Sequence, residues 1–184
     1  MVKVPYRLAV QQAICAHLQG ITRANGYDYD LSNAVYRGRL IFSGDSSQNP
    51  LPMLSLIESS RPDSGTWTGE ALDNRMEHWS LLLQGWVDDD MGNPTDPAHY
   101  LMAAVEQRLG DIVRTRNDGS GRPSNPEIYR LGPNPSGQGT LITELTYGPG
   151  VVRPPAEQVS SKAFFYLPVR VGLAYSPGSP YIAG

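Results

Sequence analysis

Apolar positions along the chain fall into two helical and five extended patterns. In residues 5–21, Leu8, Ile14, Leu18 and Ile21 lie near one face at helical spacing, with Ala13 and Cys15 alongside. Pro5 suits a first helical position, where its missing N–H removes nothing, and Gly20 suits a stop. Residues 97–114 carry the second helix, with Leu101, Val105, Leu109 and Ile112 as its stripe, widened by Met102 and Val113. Asp96–Pro97 fits an N-cap followed by a first-turn proline. Strands are predicted over 35–42, 53–57, 76–87, 140–147 and 163–173. Met53–Ile57 is nearly all apolar and is expected to be buried on both faces. In 76–87, Trp79, Leu81, Leu83 and Val87 share one face, while His78, Ser80, Gln84 and Trp86 share the other with Leu82. In 140–147, Leu141, Leu145 and Tyr147 share a side.

The last strand alternates most regularly. Ala163, Phe165, Leu167, Val169, Val171 and Leu173 face one way; Lys162, Phe164, Tyr166 and Arg170 face the other. Pro168 removes a ladder donor in its middle, so this strand is expected at a sheet edge or at a bulge. The order helix, strand, strand, strand, helix, strand, strand does not alternate as a doubly wound parallel sheet would. It predicts an α+β fold, with a mostly antiparallel or mixed sheet flanked by two helices. One domain over 1–174 is expected, with long loops at 58–75, 115–139 and 148–161 and an extended C-terminal arm over 175–184.

Composition locates the rest. The 184 residues include 19 glycines and 16 prolines, against about 12% for both in average usage. These concentrate in 43–52, 115–139, 148–161 and the C-terminal tail. A formal net charge of −3 argues against a dedicated nucleic-acid-binding domain, whose footprint is basic. No apolar run reaches the roughly 18–20 residues that cross a bilayer. The first residues lack the apolar stretch of a signal peptide. No membrane association is expected, and a reducing compartment is. Cys15 alone can neither form an internal disulfide nor anchor a cysteine zinc site, and it reads as a small core residue.

Candidate chemistry is sparse. His17, His78 and His99 have no metal-ligand spacing, and no G-x-S-x-G elbow is present. Asp88, Asp89 and Asp90 cluster as hard-cation ligands do, but they lack an EF-hand's alternation and closing glutamate and read as a solvated turn. No catalytic residue, metal or cofactor is expected. A small metal-dependent hydrolase built on this triplet with His78 or His99 is the remote alternative. Arg61, Arg75, Arg114, Arg116, Arg122 and Arg130 lie in or beside loops, where nearby carboxylates are expected to balance them. The 58–75 segment is long, polar and without periodicity, a pattern of functional loops. Trp67 in its middle either tucks onto the core or anchors a partner.

Four stretches carry a likeness to a known family: Trp79–Asp90 (WSLLLQGWVDDD), Asn93–Met102 (NPTDPAHYLM), Tyr147–Pro155 (YGPGVVRPP) and Ser160–Leu173 (SSKAFFYLPVRVGL). Together they resemble the tail terminator, or tail completion, proteins of long-tailed bacteriophages, most closely between Pro52 and Leu173. The resemblance implies an α+β domain with a sheet flanked by helices and no active site. It implies a ring, usually a hexamer, that caps the head-proximal end of the tail tube and stops its growth.

The implied partners are other copies of the chain, the major tail tube protein, the head–tail connector or stopper, and a tape measure protein. Genomic DNA would pass through the lumen without specific binding. The place is the virion neck, and the host cytoplasm during assembly. A connector stopper, adaptor or other neck protein is the alternative within the structural class. A heterologous ring needs two different patches per subunit. Candidates are Arg61, Trp67 and Arg75 in 58–75, Val151, Val152 and Arg153 in 148–161, and Tyr175 and Tyr181 in the arm. Six copies at −3 each would carry about eighteen net negative charges, which disfavours gripping DNA phosphates.

Overall fold

The computed structural model describes residues 3–40, 51–59, 75–113, 142–155, 162–175, 178 and 180–181, with backbone only for 75–77 and 174–175. Helix α1 spans Tyr6–Leu18 and helix α2 spans Asp96–Val113. The strands are β1 (Val35–Arg37), β2 (Met53–Glu58), β3 (Arg75–Val87), β4 (Ile142–Tyr147), β5 (Val151–Arg153) and β6 (Ala163–Tyr175). They form one sheet of order β1-β2-β3-β6-β4, with β5 also paired to β6. β1 and β2 are parallel; every other pairing is antiparallel. The architecture is α+β, a mixed sheet flanked by two helices, as the element order predicts.

β3 and β6 are the spine, paired residue for residue from Val87 opposite Ala163 to Arg75 opposite Tyr175. Directly opposed residues share a face. One face therefore carries Leu54, Leu56, Trp79, Leu81, Leu83 and Val87 together with the odd-numbered run from Ala163 to Leu173, all buried. Both helices pack on this face: α1 against β1, α2 against β3, β6, β4 and β5, and the two against each other. α2 seals it with Leu101, Val105, Leu109 and Ile112, each 0% exposed. Burying one such side chain stabilises by about 1.5–3 kcal/mol.

Local expectations fail where long-range contacts intervene. Leu8, placed in the α1 stripe from sequence, is exposed; Tyr6, Ala9, Val10, Ile14, Cys15 and Leu18 form the buried side. Leu8 to Ile14 spans about 600° of helical turn at 3.6 residues per turn, which carries Leu8 off the Ile14–Leu18 line. Gly20 follows the helix end but does not adopt a left-handed conformation. Its lack of a side chain instead admits Arg108, because a Cβ there would fall 2.9 Å from the Arg108 Cζ. α2 starts one residue early: the Thr95 carbonyl accepts the Ala98 and His99 N–H groups, so Thr95 occupies the cap expected of Asp96.

Trp86, expected among polar positions, is also buried. It forms a row with Met53 of β2 and Phe164 of β6 on the face away from the helices, and all three are core residues. The strand expected over 35–42 ends at Arg37, where Gly38 turns with φ +67. Leu141 lies outside the described residues. In β4 a bulge between Ile142 and Glu144 breaks the alternation, so Ile142 and Leu145, three apart, are both buried.

The expected loop 148–161 contains β5. β4 and β5 together line one side of β6, opposite 169–173 and 164–166, with a one-residue slip in register across Gly148–Gly150. This corrects the placement of Pro168. β6 is a central strand, and the edge is its β4–β5 neighbour. The Pro168 carbonyl accepts the Gly148 N–H at 2.9 Å. A strand residue's nitrogen and carbonyl point to the same side, so the donorless nitrogen also faces this slipped turn. The ladder to β3 loses nothing.

Candidate functional site

The structure splits the residues proposed from sequence into separate places. Arg61 and Trp67 lie outside the described residues. Arg75 and Tyr175 become cross-strand partners at one end of the β3–β6 spine. Val151, Val152 and Arg153 form β5 near the other end of β6, opposite Tyr166, Phe165 and Phe164. Val152 shares the helix-covered face with Phe165 and packs against the core, so it serves the fold. Arg153 is exposed on the opposite face. Tyr181 pairs with Pro5 in an isolated antiparallel bridge, and the neighbouring Tyr6 N–H bonds the Pro180 carbonyl at 2.9 Å. The arm thus lies back on the start of α1 at this point.

Two residues of the aspartate triplet are paired with a cation of the chain itself. Lys162 Nζ stands 2.8 Å from Asp88 Oδ1 and 3.5 Å from Asp89 Oδ1. The hydrogen bond to Asp88, above all, raises the lysine pKa. Asp90 Oδ1 accepts the N–H groups of Gly92 and Asn93, both at 2.8 Å, which holds its carboxyl below the usual range. Among the described residues, no group of three or more His, Cys, Asp or Glu is arranged to hold a metal ion. His78 Nδ1 lies 3.8 Å from Glu144 on the exposed sheet face. The Cys15 thiol is buried against the Tyr36 carbonyl, and that burial pushes its pKa up.

Two ends of the molecule present a different kind of surface. At the first, the turn after β3 exposes Met91 completely, and the first turn of α2 exposes Tyr100 at 68%. Tyr29 joins them: its hydroxyl donates to the Pro97 carbonyl at 3.1 Å. Burial, then Asp28, then Tyr100 raise the Tyr29 pKa. Hydrogen bonds from Ser32 hold Asp30 ionised nearby. At the second end, Tyr181 and Leu8 are exposed around Pro5, and Arg7 stacks 5.1 Å over the Trp79 ring.

Sequence reading passed over Met91 and Tyr100. The available signal was a large apolar side chain in a turn and another beside the α2 stripe, each at a position the pattern assigns to solvent. No protein-family model matches the chain and no curated protein is similar to it. Among the described residues, no helix is long and apolar enough to cross a membrane.

Proposed function

We propose that the chain is a tail terminator of a long-tailed bacteriophage, forming a ring of six that caps the head-proximal end of the tail tube and receives the head connector. The observation that carries this reading is the contiguity of the stretches on which the resemblance rests. Trp79–Val87 of β3 pairs residue for residue with Ala163–Val171 of β6. Val151–Arg153 lies along the other side of β6. Ala98 and Leu101 of α2 are buried in the same core. A likeness spread over distant parts of the chain therefore falls on one structural unit, of the α+β kind that the resemblance implies.

The test is electron microscopy and light scattering of the purified protein, with and without isolated tail tubes. The expected result is a ring, about 120 kDa for six chains of 20.1 kDa, seated at one end of each tube. Monomer alone, with the tubes left bare, overturns the reading.

A further inference from the structure

Of the eight asparagines in the chain, four precede proline and three precede a residue with a side chain; only Asn25 precedes glycine. An asparagine amide is lost when the nitrogen of the next residue attacks its Cγ and closes a five-membered ring. Proline's nitrogen has no hydrogen to give up, and a following side chain crowds the attack. Glycine supplies the hydrogen and brings no side chain. Asn25 and Gly26 are both exposed in the turn after α1, so water reaches them.

The fold holds this step in an unreactive arrangement. Asn25 ends a single 3₁₀ turn, Arg23–Asn25, and Gly26 follows with φ +85, the left-handed closure that glycine favours. The Gly26 N–H donates to the Arg23 carbonyl at 3.1 Å, and the Tyr27 N–H donates to the Thr22 carbonyl at 3.2 Å. Asn25 Nδ2 donates to the Gly20 carbonyl at 2.8 Å, just beyond the end of α1. The attacking nitrogen and the departing one are thus each bonded elsewhere. Ring closure also needs the Asn25 backbone to rotate away from its helical conformation.

We propose that Asn25 is the deamidation site of this chain and that the native turn keeps it closed, so the reaction proceeds from the locally opened turn. Once the turn opens, Gly26 N bonds to Asn25 Cγ and the Cγ–Nδ2 bond breaks. The Gly26 proton leaves with the amide nitrogen as ammonia. Water then adds at either carbonyl of the succinimide and leaves aspartate or isoaspartate; no oxidation or reduction is involved. Either product carries a carboxylate, which cannot donate to the Gly20 carbonyl, so the tie to α1 is not remade. Breaking three hydrogen bonds makes the open turn rarer by about 100-fold. The proposal is independent of the ring reading.

The test incubates the full chain at mildly alkaline pH, folded and in guanidinium chloride, and follows each asparagine by peptide mass spectrometry. The expected result is loss first at Asn25 in the unfolded chain, with the folded chain slower there by about 100-fold. A folded rate within about tenfold of the unfolded one, the effect of a single hydrogen bond, overturns the proposal. Earlier loss at another asparagine in the unfolded chain also overturns it. Asn25→Asp carries the carboxylate of the product. Hydrogen exchange at the Gly26 and Tyr27 amides should be faster in this variant than in the wild type; unchanged exchange overturns the role of the Asn25 amide in closing the turn.

Discussion

His17 and Arg108 exchange hydrogen bonds across the two helices. The His17 Nε2–H donates to the Arg108 carbonyl at 2.8 Å, and Arg108 Nε donates to the His17 carbonyl at 2.9 Å. The guanidinium thereby sits on the C-terminal end of α1, where the helix dipole favours positive charge, in the space that Gly20 leaves open. One residue pair thus fixes the angle of α1 against α2 over the shared sheet face.

Arg108→Ala removes the charged donor from that end. The expected loss is about 1–3 kcal/mol, read as a lower denaturant midpoint with an unchanged slope. Gly20→Ala should behave similarly, because its methyl group displaces the guanidinium.

His17 also sets a pH dependence. Burial is the chief cause of its lowered pKa, so the folded state resists the proton that the unfolded chain accepts. Its contribution to stability is present above the ordinary histidine value of about 6.5 and is lost as pH falls below it. Thermal melts between pH 7.5 and 5 should show this decline, and His17→Gln should flatten it.

Gly85→Ala tests the centre of the sheet. The added methyl overlaps the Phe165 ring and approaches Leu54 Cδ2 to 2.9 Å. Overpacking of this kind costs about 1–3 kcal/mol, so calorimetry should show a clear drop in Tm.

Lys162→Met tests the aspartate turn. The pair is largely exposed on the Asp88 side, so its loss should cost less than about 1 kcal/mol. Because Lys162 already sits against Asp88 and Asp89, and Asp90 is bonded to the Gly92 and Asn93 N–H groups, neither calcium nor a chelator should move the wild-type Tm; a calcium-dependent rise would contradict this arrangement.

Pro168→Thr should cost less than about 1 kcal/mol by urea titration, although Pro168 lies in a central strand. Its nitrogen faces the slipped turn at Gly148, and its side chain is exposed. The expected loss is mainly the proline's restraint on the unfolded chain.

The legible parts of the fold are those written in near neighbours. The α2 stripe is complete in sequence because Leu101, Val105, Leu109 and Ile112 repeat at helical spacing and meet one flat apolar face. The odd-numbered face of β6 is equally plain, because a strand's period of two needs no partner to define it. β5 was hidden: three residues between prolines and glycines carry no periodicity and become a strand only beside β6. Among the candidate contacts, Arg75 and Tyr175 could be named singly, but nothing local says that they face each other.

By itself the sequence determined the two helices, five of the six strands, their order and the α+β class, since these follow from local periodicity and turn chemistry. Tertiary structure alone decided that Trp86 is buried and that Pro168 lies in a central strand. Each of those outcomes depends on which distant strand or helix arrives alongside. Pairing and burial are properties of two segments at once, and a single stretch of chain records only its own half.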